Sequence, residues 1–148
     1  QDQARLRNIS LNVQLEEDID IVVDASAFSI ILSNFVTNAL KHSPSNSEIL
    51  IKNDLEDDFL TTLSVIDHGK GIPKKYRDRV FERFFRVDKG RAKHSGGTGL
   101  GLAISKHLAR LMGYEVGMKP NKPNGSRFWI SVNYASSEEE KSLTPELA

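Results

Sequence analysis

Apolar and polar residues alternate over residues 9–15, with Ile9, Leu11, Val13 and Leu15 on one side, the two-residue period of a half-buried strand. Residues 19–23 form a second, short β-prone run. The period then changes. Phe28, Leu32, Phe35, Val36 and Ala39 recur at helical spacing behind Asp24, and the turn residues 43–46 (SPSN) stop the pattern. A helix capped by Asp24 is therefore predicted from Ala25 to about His42. Residues 48–52 and 59–66 read as strands joined by the acidic stretch 54–58, an order that predicts a hairpin. Residues 74–85, carrying Val80, Phe81, Phe84 and Phe85, predict one or two short helices, and the basic, polar stretch 86–95 a mobile loop. A second long helical pattern follows, with Leu102, Ile104, Leu108, Leu111 and Met112 as its apolar face and Gly113 placed to close it with a left-handed cap. Residues 114–119 and 127–134 predict a closing strand pair around the turn 120–125. The acidic end, with Glu138, Glu139 and Glu140, predicts a disordered tail. Strands paired mostly with sequence neighbours and two long amphipathic helices predict an α+β sandwich, with helices layered on one face of a sheet. The division expected is a linker remnant over 1–8, one domain over 9–134 and a tail over 135–148.

Composition narrows the choice. A chain of 148 residues suits one core. Lys and Arg total 20 and Asp and Glu total 20, so whole-chain charge makes no case for nucleic acid or an acidic membrane. No apolar run approaches the roughly 20 residues that span a bilayer, and no signal peptide opens the chain. The absence of cysteine excludes disulfides, thiolate catalysis and Cys-based metal sites. His42, His68, His94 and His107 show no metal-ligand spacing. These features fit a cytosolic domain.

Three stretches carry candidate chemistry. Gly96, Gly97, Gly99 and Gly101 crowd the entry to the second long helix, with Gly90 upstream. Such a turn aims unpaired N–H groups and a positive dipole end at one spot, which suits a phosphate; a flexible loop before a core helix is the plainer alternative. No Gly-Lys-Ser/Thr follows, and Leu102 stands where a dinucleotide fingerprint needs its third glycine. On the first helix, Asn34, Asn38 and Lys41 lie within about 60° of one another at helical spacing. They form either a solvated face or a set of amide oxygens for Mg²⁺ with a lysine for phosphate. Asp67 follows a strand and precedes Gly69 and Gly71. It is either an Asx-type turn former or an acceptor for an exocyclic amine, with the glycines letting a flat base approach the backbone.

Four blocks in order, ILSNFVTNALKHSP (31–44), DHGKGIP (67–73), FERFFRVD (81–88) and GGTGLGLAI (96–104), resemble the N, G1, F and G2 boxes of the catalytic ATP-binding domain of two-component sensor histidine kinases. The resemblance covers about residues 23–132. It implies a Bergerat-type two-layer α/β sandwich: a mixed sheet of about five strands, three helices on one face and a mobile ATP lid. It implies that Asn38, with Asn34 assisting, holds the Mg²⁺ that bridges the phosphates, and that Lys41 and His42 meet the phosphates or ribose. Asp67 would take the adenine amine, while Gly69, Gly71 and Ile72 line the base. Phe81 and Phe84 would anchor the near end of the lid, Arg86 would reach the γ-phosphate, and Thr98, Gly99, Leu100, Gly101 and Leu102 would close over the triphosphate. Asn38, Lys41 and Arg86 are the residues it implies for catalysis. His42 stands where an aromatic is frequent, His68 where asparagine is common, and Tyr114 in place of a second glycine after Gly113.

The implied activity is transfer of the ATP γ-phosphate to a histidine. None of the four histidines here stands in the His-Asp/Glu box of such an acceptor. The expected partners are therefore a dimerisation and phosphoacceptor helical hairpin of the same receptor and, downstream, a response regulator, with no nucleic acid. The chain reads as a monomeric, non-inserted cytoplasmic portion of a membrane-anchored receptor. Two alternatives are an ATPase of the same fold, as in gyrase or heat-shock chaperones, and a nucleotide-binding regulatory module that has lost catalysis. The ATPases place a glutamate four residues before the metal-binding asparagine; here that residue is Asn34, and an amide is no general base at neutral pH.

Overall fold

The computed structural model describes residues 8–16, 18–85 and 100–136. The strands are β1 (Ser10–Gln14), β2 (Ile19–Ile21), β3 (Glu48–Leu55), β4 (Leu60–Ile66), β5 (Glu115–Pro120) and β6 (Ser126–Ser136), and the helices α1 (Ala25–His42) and α2 (Gly101–Leu111). The sheet order is β1-β3-β4-β6-β2, with β5 also beside β6. Strand β1 runs parallel to β3, and the other pairings are antiparallel. The long β6 has β4 along one side and, along the other, β5 (Val116 opposite Ile130) and then β2 (Ile21 opposite Tyr134).

Register sets the two faces of the sheet. Ile51, Val65 and Phe128 lie abreast across β3, β4 and β6, and the two-residue period puts Ile49, Leu63, Ile130 and Val132 on the same side. That side packs against Ile31, Phe35 and Ala39 of α1 and Ala109 of α2 in one core, with the Phe35 and Phe128 rings 5.7 Å apart. The opposite face is mixed, with Leu50, Ile66 and Trp129 beside Lys52, Ser64 and Arg127. Arg127 reaches Asp54 at 2.6 Å and donates to Ser64 Oγ at 2.9 Å.

Helix α1 starts where the sequence places it, because Asp24 Oδ1 accepts the Ala27 N–H at 2.9 Å. Gly113 ends the α2 segment at φ +81°, as its position predicts. The helices run antiparallel: the Asp24 N–H reaches Met112 Sδ, while Asn34 meets Gly101.

Several details differ from the sequence reading. The sheet has six strands, the number the residue pattern predicts, against the about five that the resemblance implies. The helices among the described residues are α1, α2 and one 3₁₀ turn at Lys74–Tyr76. Residues 77–85 are turns rather than helix, held by aromatic packing: Phe81 lies 6.0 Å from Phe128, and Phe85 5.7 Å from Tyr76. Strand β3 continues to Leu55 because buried Asn53 bonds Thr61 Oγ1 and accepts the Glu16 N–H, a polar interior position that hydropathy does not mark. The face of α2 is also shifted. Ser105 and Ala109 are fully buried, while Ile104 and Leu111 are 44% and 71% exposed. The expected lid loop over 86–95 and the tail beyond Ser136 lie outside the described residues.

Candidate nucleotide-binding site

The middle of α1 meets the start of α2, and the end of α1 meets the loop after β4. Asn34 is half-buried between the helices; its Nδ2 donates to the Gly101 carbonyl at 2.9 Å and to Ser105 Oγ at 3.0 Å. Ser105 Oγ in turn donates to the same carbonyl at 2.9 Å. Asn34 therefore ties α1 to the root of the glycine-rich turn instead of facing solvent. Asn38 is half-buried one turn further on, and Lys41 and His42 are exposed in the last turn. Leu100 precedes α2, Gly101 opens it, and Leu102 packs against the core.

Asp67 leaves the sheet directly after β4. Its backbone N–H still donates to the Ser126 carbonyl at 2.9 Å, so β6 fixes its position. The side chain is buried, at 1% exposure. Its Oδ1 accepts the Gly69 N–H at 2.9 Å and the Ser126 N–H at 3.3 Å. Its Oδ2 is buried and has no partner among the described residues. Burial pushes this carboxyl above its ordinary value of 3.8, opposed by the Gly69 and Ser126 N–H groups and by His42 and His68. The two readings of Asp67 are thus divided between its oxygens: Oδ1 forms the Asx-type turn, and Oδ2 is left for an outside donor. A buried acceptor without a donor carries a desolvation cost, which an exocyclic amine would relieve.

Close backbone approach explains two glycines here. A Cβ on Gly69 would lie 2.1 Å from the His42 carbonyl oxygen, and one on Gly125, at φ +118°, would lie 1.9 Å from the Asp67 carbonyl oxygen. The end of α1, the loop after β4 and the β5–β6 turn therefore converge on Asp67. Ile72 packs at the core margin, and its carbonyl accepts from Arg77 Nε at 3.0 Å.

Of the expected site residues, the structure sets Asn34 against Gly101, and Gly69, in the Asp67 loop, against the His42 carbonyl, while Gly71 approaches Gly125 and Ile72 and Leu102 pack against the core; Asn38 and Lys41 lie on α1 between Asn34 and His42. Arg86, Thr98 and Gly99 lie outside the described residues. The sequence reading missed Ser126, Gly125 and Asn121, which reach Asp67 from 54 or more positions away in the chain; the Asn124-Gly125 pair signalled a turn but not its target. Among the described residues no three His, Cys, Asp or Glu side chains are grouped to hold a metal. The Asn38 side chain offers an amide oxygen of the kind that, with oxygens of a nucleotide, suits a hard ion such as Mg²⁺. Tyr114, which departs from the glycine pair of the kinase pattern, places its hydroxyl on the Val22 carbonyl and so ties the exit of α2 to the chain beside β2.

Comparison with known proteins agrees with this fold. The family described as histidine kinase-, DNA gyrase B-, and HSP90-like ATPase matches residues 23–136. The sensor histidine kinase WalK of Bacillus subtilis is 36% identical over 126 residues, which is 84% of this chain and 21% of that protein. The sensor-like histidine kinase SenX3 of Mycolicibacterium smegmatis is 36% identical over 124 residues, 84% of this chain and 32% of that protein. The chain thus spans about a fifth to a third of the length of these relatives. Among solved structures, the mycobacterial sensor histidine kinase MprB superposes with a TM-score of 0.77 at 28% identity, over 90% of this chain and 87% of that one. Full-length ShkA in complex with AMPPNP superposes with a TM-score of 0.78 at 29% identity, over 92% of this chain and 28% of that one. No described helix is long and apolar enough to cross a membrane. The chain belongs to the family of histidine kinase, DNA gyrase B and HSP90-like ATPases, within which it is an ATP-binding catalytic domain of the sensor histidine kinase type.

Proposed function

We propose that this domain binds Mg-ATP and directs its γ-phosphoryl group to a histidine on a separate helical hairpin of the same receptor, from which a response regulator is served. The observation that carries the reading is Asp67 Oδ2, a buried acceptor without a donor among the described residues, beside the end of α1 and the β5–β6 turn. An adenine amine supplies the missing donor, whereas a guanine O6 does not. Asn38 would hold Mg²⁺, which neutralises phosphate charge when bound. The roles of Lys41 and His42 at the phosphates or ribose, of Arg86 at the γ-phosphate and of residues 98–102 as a closing turn belong to the same proposal. So does a location on the cytoplasmic side of a membrane-anchored receptor.

Asn34 favours transfer over hydrolysis. Its amide nitrogen is engaged with Gly101 and Ser105, and an amide does not take a proton from water at neutral pH. The domain then contributes alignment and charge stabilisation. An acceptor imidazole nitrogen attacks the γ-phosphorus, the bond to the β–γ bridging oxygen breaks, and ADP leaves.

Calorimetry with ATP and GTP, each with and without Mg²⁺, tests the reading. Adenine-selective binding strengthened by Mg²⁺ is expected. Asp67→Ala should lose about 1–3 kcal/mol of ATP binding, the worth of one charge-assisted hydrogen bond, and preserved affinity would remove the adenine assignment. Asn38→Ala should lose the Mg²⁺ response with the fold intact.

A further inference from the structure

We infer that Asn121 is a positioning residue that sets the aim of Asp67, and so determines adenine specificity in the site proposed above, on which this inference rests. Asp67 lies past the last β4–β6 register pair, Ile66 opposite Arg127, so its carbonyl has left the regular ladder. A side chain takes over there. Asn121 Nδ2 donates to the Asp67 carbonyl at 3.1 Å and to the Asn124 carbonyl at 3.3 Å, and lies 3.4 Å from His68 Nδ1. The Asn121 backbone N–H closes the same turn on the Gly125 carbonyl at 3.1 Å. One amide group therefore joins the two limbs of the β5–β6 turn to the loop after β4, across 54 residues of sequence.

This latch has a consequence for the carboxylate. Oδ1 is held by Gly69 from its own loop and by Ser126 from the far side of the turn. The turn and Asp67 must keep their spacing for Oδ2 to stay pointed away from protein donors. Gly125 permits that spacing because a Cβ there would collide with the Asp67 carbonyl. Asn121 maintains it, as the side-chain donor from the turn to that same carbonyl. Its Nδ2 is engaged by the two carbonyls beside His68 Nδ1, and the effect inferred for it on a nucleotide passes through Asp67.

A base with an amine at C6 donates from that position to Oδ2; a base with a carbonyl at C6 presents an acceptor there and gains less from the aim of Oδ2. The ratio of ATP to ITP affinity therefore reads the aim of Asp67, and general loosening of the domain would weaken both nucleotides together. In the whole chain with Mg²⁺, the unaltered protein is expected to prefer ATP, and Asn121→Ala to lower the ATP:ITP ratio by about five-fold, the scale of one hydrogen bond, with most of the loss on ATP. Equal loss for both nucleotides, or an unchanged ratio, overturns the role of Asn121 while leaving the nucleotide site standing. Unaltered protein that binds neither nucleotide overturns the site and the inference together. A second measurement needs no variant: the Asn121 side-chain amide signals in NMR spectra should shift on saturation with ATP and much less with ITP. Identical shifts with both nucleotides, or none, overturn the proposal.

Discussion

Asn34 donates its side-chain amide to the Gly101 carbonyl at 2.9 Å, joining the middle of α1 to the first residue of α2. The same nitrogen reaches Ser105 Oγ at 3.0 Å, so one polar side chain gathers both groups at the root of the glycine-rich turn. Asn34→Asp keeps the shape and replaces the donor with an acceptor facing a carbonyl. It should destabilise the fold by about 1–3 kcal/mol, the cost of leaving a buried polar group unmatched. Urea unfolding checks this, and a variant as stable as the unaltered protein would refute the contact.

Two motif glycines should respond in opposite ways. Gly69→Ala forces a Cβ to 2.1 Å from the His42 carbonyl oxygen, and neither backbone can yield without moving α1 or the Asp67 loop. A loss of about 1–3 kcal/mol is expected, as for other overpacked sites. At Gly101 the nearest atom, Asn34 Cγ, would be 3.5 Å from a Cβ, which is ordinary contact. Gly101→Ala should leave stability unchanged or raise it by up to about 1 kcal/mol through helix propensity. Thermal unfolding of the two variants side by side separates them, and equal destabilisation would contradict the geometry.

The buried carboxyl of Asp67 should leave a mark on the pH dependence of stability. Its folded-state pKa is raised above 3.8, chiefly by burial. As pH rises past 3.8, the unfolded chain loses this proton first and the folded chain later, so the native state binds more protons across that window. Stability from this group is present at low pH and is lost as pH rises through the folded value. Asp67→Asn keeps an Oδ1 acceptor for Gly69 and Ser126 and carries no titrating group, and any cost of its buried NH₂ does not vary with pH. The stability of Asp67→Asn relative to the unaltered protein should therefore climb with pH across that window and then level off. A difference independent of pH between about 3 and 7 would show that Asp67 titrates normally.

How much of the molecule was legible follows from the distance over which each feature is decided. Helix α1, its Asp24 cap, the β3–β4 hairpin and the Gly113 terminus are set by residues a few positions apart, and local pattern found them. The partner of β2 is the end of β6, with Ile19 opposite Ser136, and no local signal names a strand so far along the chain. At the site, Asp67 was legible because a carboxylate between a strand and two glycines is locally unusual. Asn121 and Ser126 were not, because their importance comes from contact with Asp67 rather than from any pattern around them. Asn34 stands out by its spacing from Asn38 and Lys41, while its donation to α2 depends on a helix pairing that spacing alone cannot give.

The shifted face of α2 leads to a last contrast. Hydropathy favours Ile104 and Leu111 as core positions, yet Leu111 is 71% exposed and Ala109 is fully buried. Small residues occupy the contact because α2 approaches α1 closely there, with Asn34 and Ser105 bonded at 3.0 Å. Leu111→Ala removes little buried area and places the best helix former on an open face, so it should cost less than about 0.5 kcal/mol. Ala109→Leu adds volume where none is free and should cost about 1–3 kcal/mol. Denaturation midpoints of the two variants decide between the readings: a larger loss from Leu111→Ala would restore the hydropathic face, and a larger loss from Ala109→Leu would fix the small-residue contact as the one that holds α2 beside the nucleotide site.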